Sequence, residues 1–191
     1  MLFTKDASLS RRSFCTGLAG AAAVTALPNS ALASLLPADA KDLHLKLAMQ
    51  SIHTGEKGAF DIVVNGKFVA EELVAANNLL RDHRTGDVHE MDKQTLMQMV
   101  NIAQLIGKDE PFHIISGYRS PKSNAMLAAK SGGVAKKSYH MKGMAIDIAM
   151  PGVSTDDLHK AALSLNAGGV GKYSRSGFVH IDSGPVRRWG A

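Results

Sequence analysis

At 191 residues, with 45% hydrophobic and 20% charged side chains, the chain has the length of one domain and enough apolar content for a core, which excludes a disordered or low-complexity protein. A formal charge of +5 suits an anionic polymer. An aromatic content of only 5%, with no interleaved aromatics or recognition motif, argues against nucleic acid.

Residues 1–33 read as an export signal. Ser10-Arg11-Arg12-Ser13-Phe14 carries paired arginines, an apolar run follows from Gly17 to Leu27, and Ala31-Leu32-Ala33 offers a small-x-small cleavage site. The pattern resembles a twin-arginine (Tat) signal, which exports folded proteins. The apolar run is about half the ~20 residues a membrane span needs, so no transmembrane segment is expected. The only cysteine, Cys15, lies inside this leader. The mature domain, 34–191, therefore has no disulfide, no thiolate ligand and no cysteine nucleophile. Loss of Lys5, Arg11, Arg12 and Asp6 removes three positive charges and one negative, leaving +3.

Leu43, Leu45 and Leu47 alternate with polar residues, which predicts a half-buried strand. Asn65-Gly66 between the apolar runs Phe60–Val64 and Lys67–Val69 predicts a hairpin. Two helices should follow. The first, Glu71 to Arg81, has the stripe Leu73, Val74, Asn77 and Leu80. The second, Asp92 to Ile106, has Asp92 as N-cap and Gly107 just past its end. The polar loop between them contains His89-Glu90, but Lys93 breaks any H-E-x-x-H zinc motif. Phe112 to Ser116 reads as a strand that delivers Gly117-Tyr118-Arg119-Ser120-Pro121, with Ser120 capping a helix that starts at Pro121 and runs to about Lys130.

Met144 to Met150 alternates. Met144, Ile146, Ile148 and Met150 form the core face, and Asp147 stands on the other face between Ala145 and Ala149. A helix opens at Asp156-Asp157, Gly168-Gly169-Val170-Gly171 is expected to turn the chain, and Phe178, His180 and Asp182 share one strand face. The expected fold is α+β: a small antiparallel sheet with helices packed on one side and a site on its open face.

Catalytic zinc takes three protein ligands from His, Asp or Glu and keeps one position for water. His140, Asp147 and His180 can supply that set. An aspartate inside an apolar strand needs a charge partner, which raises the weight of this grouping above its spacing alone.

Ser138-x-His140-x-x-Gly143-x-Ala145-x-Asp147, preceded by Ser116-Gly117-Tyr118-Arg119-Ser120 and followed by His180, resembles the M15 zinc peptidases, which have the hedgehog/D,D-peptidase fold. Leu80-Arg81-Asp82-His83-Arg84, Val134-Ala135-Lys136, Gly168–Gly171 and Phe178–Asp182 resemble an exported subgroup of murein endopeptidases. The similarity covers nearly all of the mature chain. It implies Zn2+ held by His140, Asp147 and His180, with Arg119 stabilising the charge that develops on a carbonyl oxygen. It also implies that Ser138 lines the substrate site, although a simple loop cap is an equal reading of that serine. The implied substrate is the stem peptide of peptidoglycan, cut in the periplasm at diaminopimelate–diaminopimelate (3-3) or D-alanyl–diaminopimelate links. Alternatives are a D,D- or L,D-carboxypeptidase or dipeptidase on the same fold, and a non-catalytic wall-binding module stabilised by zinc.

Many M15 enzymes place a carboxylate base three residues before the last zinc histidine, where this chain has Gly177. Asp182, on the His180 strand face, is the expected substitute base, or else a residue that orients a ligand. No role follows for His44, His53, His83, His89, His113 or His159. Lys122, Lys130, Lys136, Lys137 and Lys142 cluster around the site loop and could attract stem-peptide carboxylates.

Overall fold

The computed structural model describes residues 40–131 and 134–190. The expected export signal, 1–33, lies outside them. Strand β1 (Leu45–Ser51) buries Leu45, Leu47 and Met49 on one face, as its alternation predicts. It pairs antiparallel with β2 (Lys57–Val64), which turns into β3 (Lys67–Phe68). Asn65 and Gly66 have φ of 51° and 69°. Two consecutive left-handed residues match the twist of the flanking strands, which is why Asn-Gly works there.

Helix α1 (Ala70–Leu79) buries Ala76, Asn77 and Leu79. The expected stripe is rotated in part, because Val74 is exposed while Leu80, just past the end, is buried. Helix α2 (Lys93–Ile106) matches its expected ends. Asp92 accepts a hydrogen bond from Gln94 N, and Gly107 closes the helix in the left-handed region at φ 67°. Strand β4 (Phe112–Ser116) leads to α3 (Pro121–Lys130), capped by Ser120, whose side chain accepts from Ser123 N. Then come a 3-10 turn (Tyr139–Lys142), β5 (Ala145–Ala149), α4 (Thr155–Ser164), β6 (Gly169–Tyr173), β7 (Phe178–Asp182) and β8 (Arg187–Trp189).

The α+β expectation agrees with this architecture, but the sheet is larger and is mixed. It has eight strands in the order β3-β2-β1-β4-β5-β7-β6-β8. The β1/β4 and β6/β8 pairs are parallel and the rest antiparallel. Gly168–Gly171, expected to turn the chain, instead enters β6. The C-terminal segment adds β8 at the edge of the sheet, beside β6.

Helix α1 packs on β2, α2 on β1 and α4, and α4 on β6 and β7. Leu96, Met99, Ile102 and Leu158 from the helices meet Ile146, Ile148, Val179 and Ile181 from the sheet in one core. Each such fully buried side chain contributes roughly 1.5–3 kcal/mol. That core fixes β5 and β7 side by side, with Asp147 opposite His180. With period-two alternation, both side chains then project from the face opposite the core.

Candidate metal centre

Three segments deliver three side chains. Ser138 caps the 3-10 turn by accepting from His140 N at 3.3 Å. The turn ends at Gly143, φ 67°, where an added Cβ would strike the Glu90 carbonyl. Glycine is required there by both conformation and space. The turn lays His140 over the β4–α3 junction, where its Nδ1 lies 2.8 Å from the Gly117 carbonyl oxygen. Asp147 comes from β5 and His180 from β7, and all three residues are buried.

The geometry closes on three atoms. His180 Nδ1 is 2.8 Å from Asp147 Oδ1, His140 Nε2 is 3.3 Å from the same oxygen, and the two ring nitrogens are 3.2 Å apart. The partners on the outer ring edges fix the tautomers. A carbonyl accepts, so His140 Nδ1 donates to Gly117 and Nε2 carries the lone pair. On His180, Nε2 lies 3.0 Å from Asp182 Oδ2, so it donates and Nδ1 carries the lone pair. Two lone pairs and a carboxylate oxygen therefore converge, an arrangement that calls for a cation between them. Metal bonds of about 2.0–2.2 Å in a tetrahedral site hold ligand atoms roughly 3.3–3.6 Å apart, close to two of the three separations, while His180 Nδ1 and Asp147 Oδ1 stand closer at hydrogen-bonding distance. The spacing and the two-nitrogen, one-oxygen donor set fit a metal ion, and these residues could hold one.

Electrostatics agree. Burial pushes the Asp147 carboxyl up, but His140 and His180 beside it hold it well below the usual carboxylate range. Burial also pulls the His180 pKa down, yet the Asp147 and Asp182 carboxylates on its two ring edges outweigh that and raise it, so a proton on Nδ1 is the cation that a metal ion would displace. Arg119 lies at the rim, with Nη2 3.6 Å from Asp147 Oδ2 and 3.2 Å from Ser116 Oγ. Its Nε is buried with no hydrogen-bond partner among the described residues. The guanidinium thus keeps donor capacity next to the triad. Ser138 is buried, and its hydroxyl serves the turn as a cap.

Asp182 has two expected roles, as a base or as a residue that orients a ligand, and its surroundings bear on the choice. It is fully buried and sits on the far edge of the His180 ring from the three converging atoms. Its Oδ1 accepts from Gly169 N, Gly184 N and Arg187 Nη1, and its Oδ2 accepts from Arg187 Nη2 and His180 Nε2. A base must reach the reacting water directly or through one other water. A carboxylate occupied in this way, behind the imidazole, does not fit the expected role, whereas it suits the orientation of a ligand.

Sequence reasoning also missed the C-terminal contributors. Arg187 lies 5.1 Å from the centres of both the Tyr139 and Trp189 rings, and Trp189 lies 5.2 Å from the His180 ring. The only signal in the sequence was the basic-aromatic tail itself. Other histidines stay outside the triad: His44 pairs with Asp61, His53 stacks on His83, and His89 stacks on Tyr118.

The chain is similar to known proteins over most of its length. A family model described as peptidoglycan L,D-endopeptidase MepK matches residues 39–189. The peptidoglycan L,D-endopeptidase MepK of Escherichia coli (strain K12) is 43% identical over 143 residues, covering 75% of this chain and 79% of the relative. The probable peptidoglycan L,D-endopeptidase MepK of Haemophilus influenzae is 39% identical over 167 residues, covering 87% and 88%.

Proposed function

The chain belongs to the M15 peptidase family of peptidoglycan L,D-endopeptidase MepK, and from that premise we propose that it is a zinc-dependent murein endopeptidase that hydrolyses peptide cross-links of peptidoglycan in the periplasm, after export through its twin-arginine leader. The observation that carries the reading is the convergence of His140 Nε2, Asp147 Oδ1 and His180 Nδ1 beside Arg119.

Bound zinc supplies Lewis acidity, which polarises a carbonyl oxygen and makes water nucleophilic near neutral pH. The chain's own residues do the rest. His140 and His180 would be the ion's nitrogen ligands, with their outer ring edges oriented by Gly117 and Asp182. Asp147 would supply a carboxylate oxygen to the ion, while its Oδ2 keeps Arg119 close. Arg119, with its guanidinium beside Asp147, donates to the oxygen that gains negative charge as the peptide carbonyl is attacked. Asp182 holds the His180 ring and moves no proton to substrate.

The bond is the diaminopimelate–diaminopimelate link of 3-3 cross-links. That link joins an L centre to a D centre, a reading supported by the L,D-endopeptidase name of the relatives, whereas D-alanyl–diaminopimelate joins two D centres. The test is to incubate the protein with purified 3-3 and D-alanyl-linked muropeptide dimers, with and without chelator, and to read the products by mass. Chelator-sensitive splitting of the 3-3 dimer into monomers is expected. Release of single amino acids from intact stems would instead favour a carboxypeptidase, and intact dimers with zinc loaded would favour a wall-binding module.

A further inference from the structure

The two rows of residues that cross the last three strands carry more than sheet pairing. His180, Gly171 and Trp189 stand in register across β7, β6 and β8, as do Asp182, Gly169 and Arg187. In each row the middle residue is glycine, and its missing side chain is what lets the outer residue reach the inner one. A Cβ on Gly169 would lie 2.5 Å from both Arg187 Nη1 and Asp182 Oδ2, and a Cβ on Gly171 would run into the Trp189 indole. None of Gly168, Gly169 and Gly171 has a positive φ. Space rather than backbone conformation explains glycine at 169 and 171.

Arg187 uses that space for a two-point contact, Nη1 to Oδ1 at 2.9 Å and Nη2 to Oδ2 at 2.6 Å of Asp182. Such a fork fixes both the position and the plane of the carboxylate. The guanidinium is itself held against the Tyr139 and Trp189 rings. A third glycine, Gly184, makes room on the remaining side, since a Cβ there would lie 2.7 Å from the Tyr139 ring and 2.9 Å from Asp182 Oδ1. Asp182 in turn holds His180 Nε2, so His180 Nδ1 stays turned toward His140 and Asp147.

We infer that Arg187 is a positioning residue for the metal: the C-terminal strand fixes Asp182 through Arg187, and thereby sets the orientation of the His180 ring and the affinity of the site for zinc. This rests on the zinc reading of the triad but not on which bond is cleaved. Metal affinity measured apart from any peptide substrate therefore keeps a failure here distinct from a failure of the endopeptidase reading.

The test uses the purified full chain and its Arg187→Met, Arg187→Lys, Asp182→Asn and Arg187→Met/Asp182→Asn variants. The zinc dissociation constant is measured by competition with a chromophoric chelator, and thermal melts of the apo forms run alongside. Residues behind metal ligands are worth about 10–100-fold in affinity, so Arg187→Met should weaken zinc by about tenfold or more, with Arg187→Lys between it and the parent. In the Asp182→Asn background, Arg187→Met should add nothing, because its effect runs through the carboxylate. A zinc constant for Arg187→Met within twofold of the parent, even with a lower melting temperature, overturns the inference and leaves Arg187 a purely structural residue. So does a double variant in which the two losses multiply. If the Asp182 variants do not fold, the cobalt-loaded Arg187→Met chain decides: a changed visible absorption band is expected, and a band unchanged from the parent overturns the proposal.

Discussion

Asp82→Asn is the substitution whose consequences can be worked furthest. Asp82 is almost wholly buried and ties the segment after α1 to the start of α3, one residue past Arg119. Its Oδ2 accepts from Ser120 N at 2.8 Å and its Oδ1 from Arg84 N at 3.0 Å. Burial pushes the carboxyl up, but Ser123 and Ser120 and the two backbone donors outweigh that and hold it well below the usual range. An asparagine keeps one acceptor oxygen and turns an NH2 toward the other N–H, so one buried donor is stranded and the charge is lost from the second bond. A stranded buried donor costs about 1–3 kcal/mol, and hydrogen bonds to a charged group are worth about 1.5–3. The expected loss is about 2–4 kcal/mol at pH 7, which for a domain of this size lowers the melting temperature by about 4–16 °C.

The sign with pH follows from the depressed pKa. The unfolded carboxyl titrates near 3.9, the folded one lower, so the Asp82 contribution is complete above the unfolded value and disappears as pH falls through the folded one. Parent and variant should therefore differ by the full amount at pH 6–7 and converge as pH drops below about 4. Urea unfolding followed by circular dichroism at a series of pH values measures this directly. A gap that stays constant from pH 7 to pH 3, or midpoints that coincide at pH 7, would refute the reasoning.

The remaining predictions concern the site. Arg119→Met should lower kcat on cross-linked dimers by about 10²–10³-fold while zinc content stays at the parent level. Steady-state kinetics beside metal analysis check this, and loss of zinc instead of rate would contradict the oxyanion role. Gly169→Ala should destabilise the chain by about 1–3 kcal/mol, because the new methyl group meets Arg187 Nη1 and Asp182 Oδ2. It should also weaken zinc, both readable in a melt and a chelator competition, and a variant with parental stability and affinity would show that β8 is not held as described.

What the sequence made legible was local. Asn65-Gly66, the Asp92 and Gly107 caps and Ser120-Pro121 each announce their structure through neighbours one to four residues away. The triad was legible because Asp147 is a charge inside an apolar strand and His140 and His180 flank it in a recognisable pattern. The β6 glycines were not, since glycine in sequence reads as a turn, and the reason for glycine here lies in Arg187 and Trp189 on the neighbouring strand β8. The parallel β1/β4 and β6/β8 pairings depend on long-range packing that no local pattern encodes. Alternation correctly put Asp182 on the His180 face but could not say which edge of the ring it meets. That edge decides between base and support.

The central claim is that one zinc ion, held by His140, Asp147 and His180, is what makes this chain cleave cross-links. The most direct measurement strips the protein with chelator, titrates zinc back, and follows splitting of a 3-3 linked muropeptide dimer at each point. The account predicts no cleavage in the stripped chain, activity rising in proportion to added zinc, a plateau at one ion per chain, and no recovery in a His140→Ala variant. Cleavage by the stripped chain, or full activity in that variant, would contradict it.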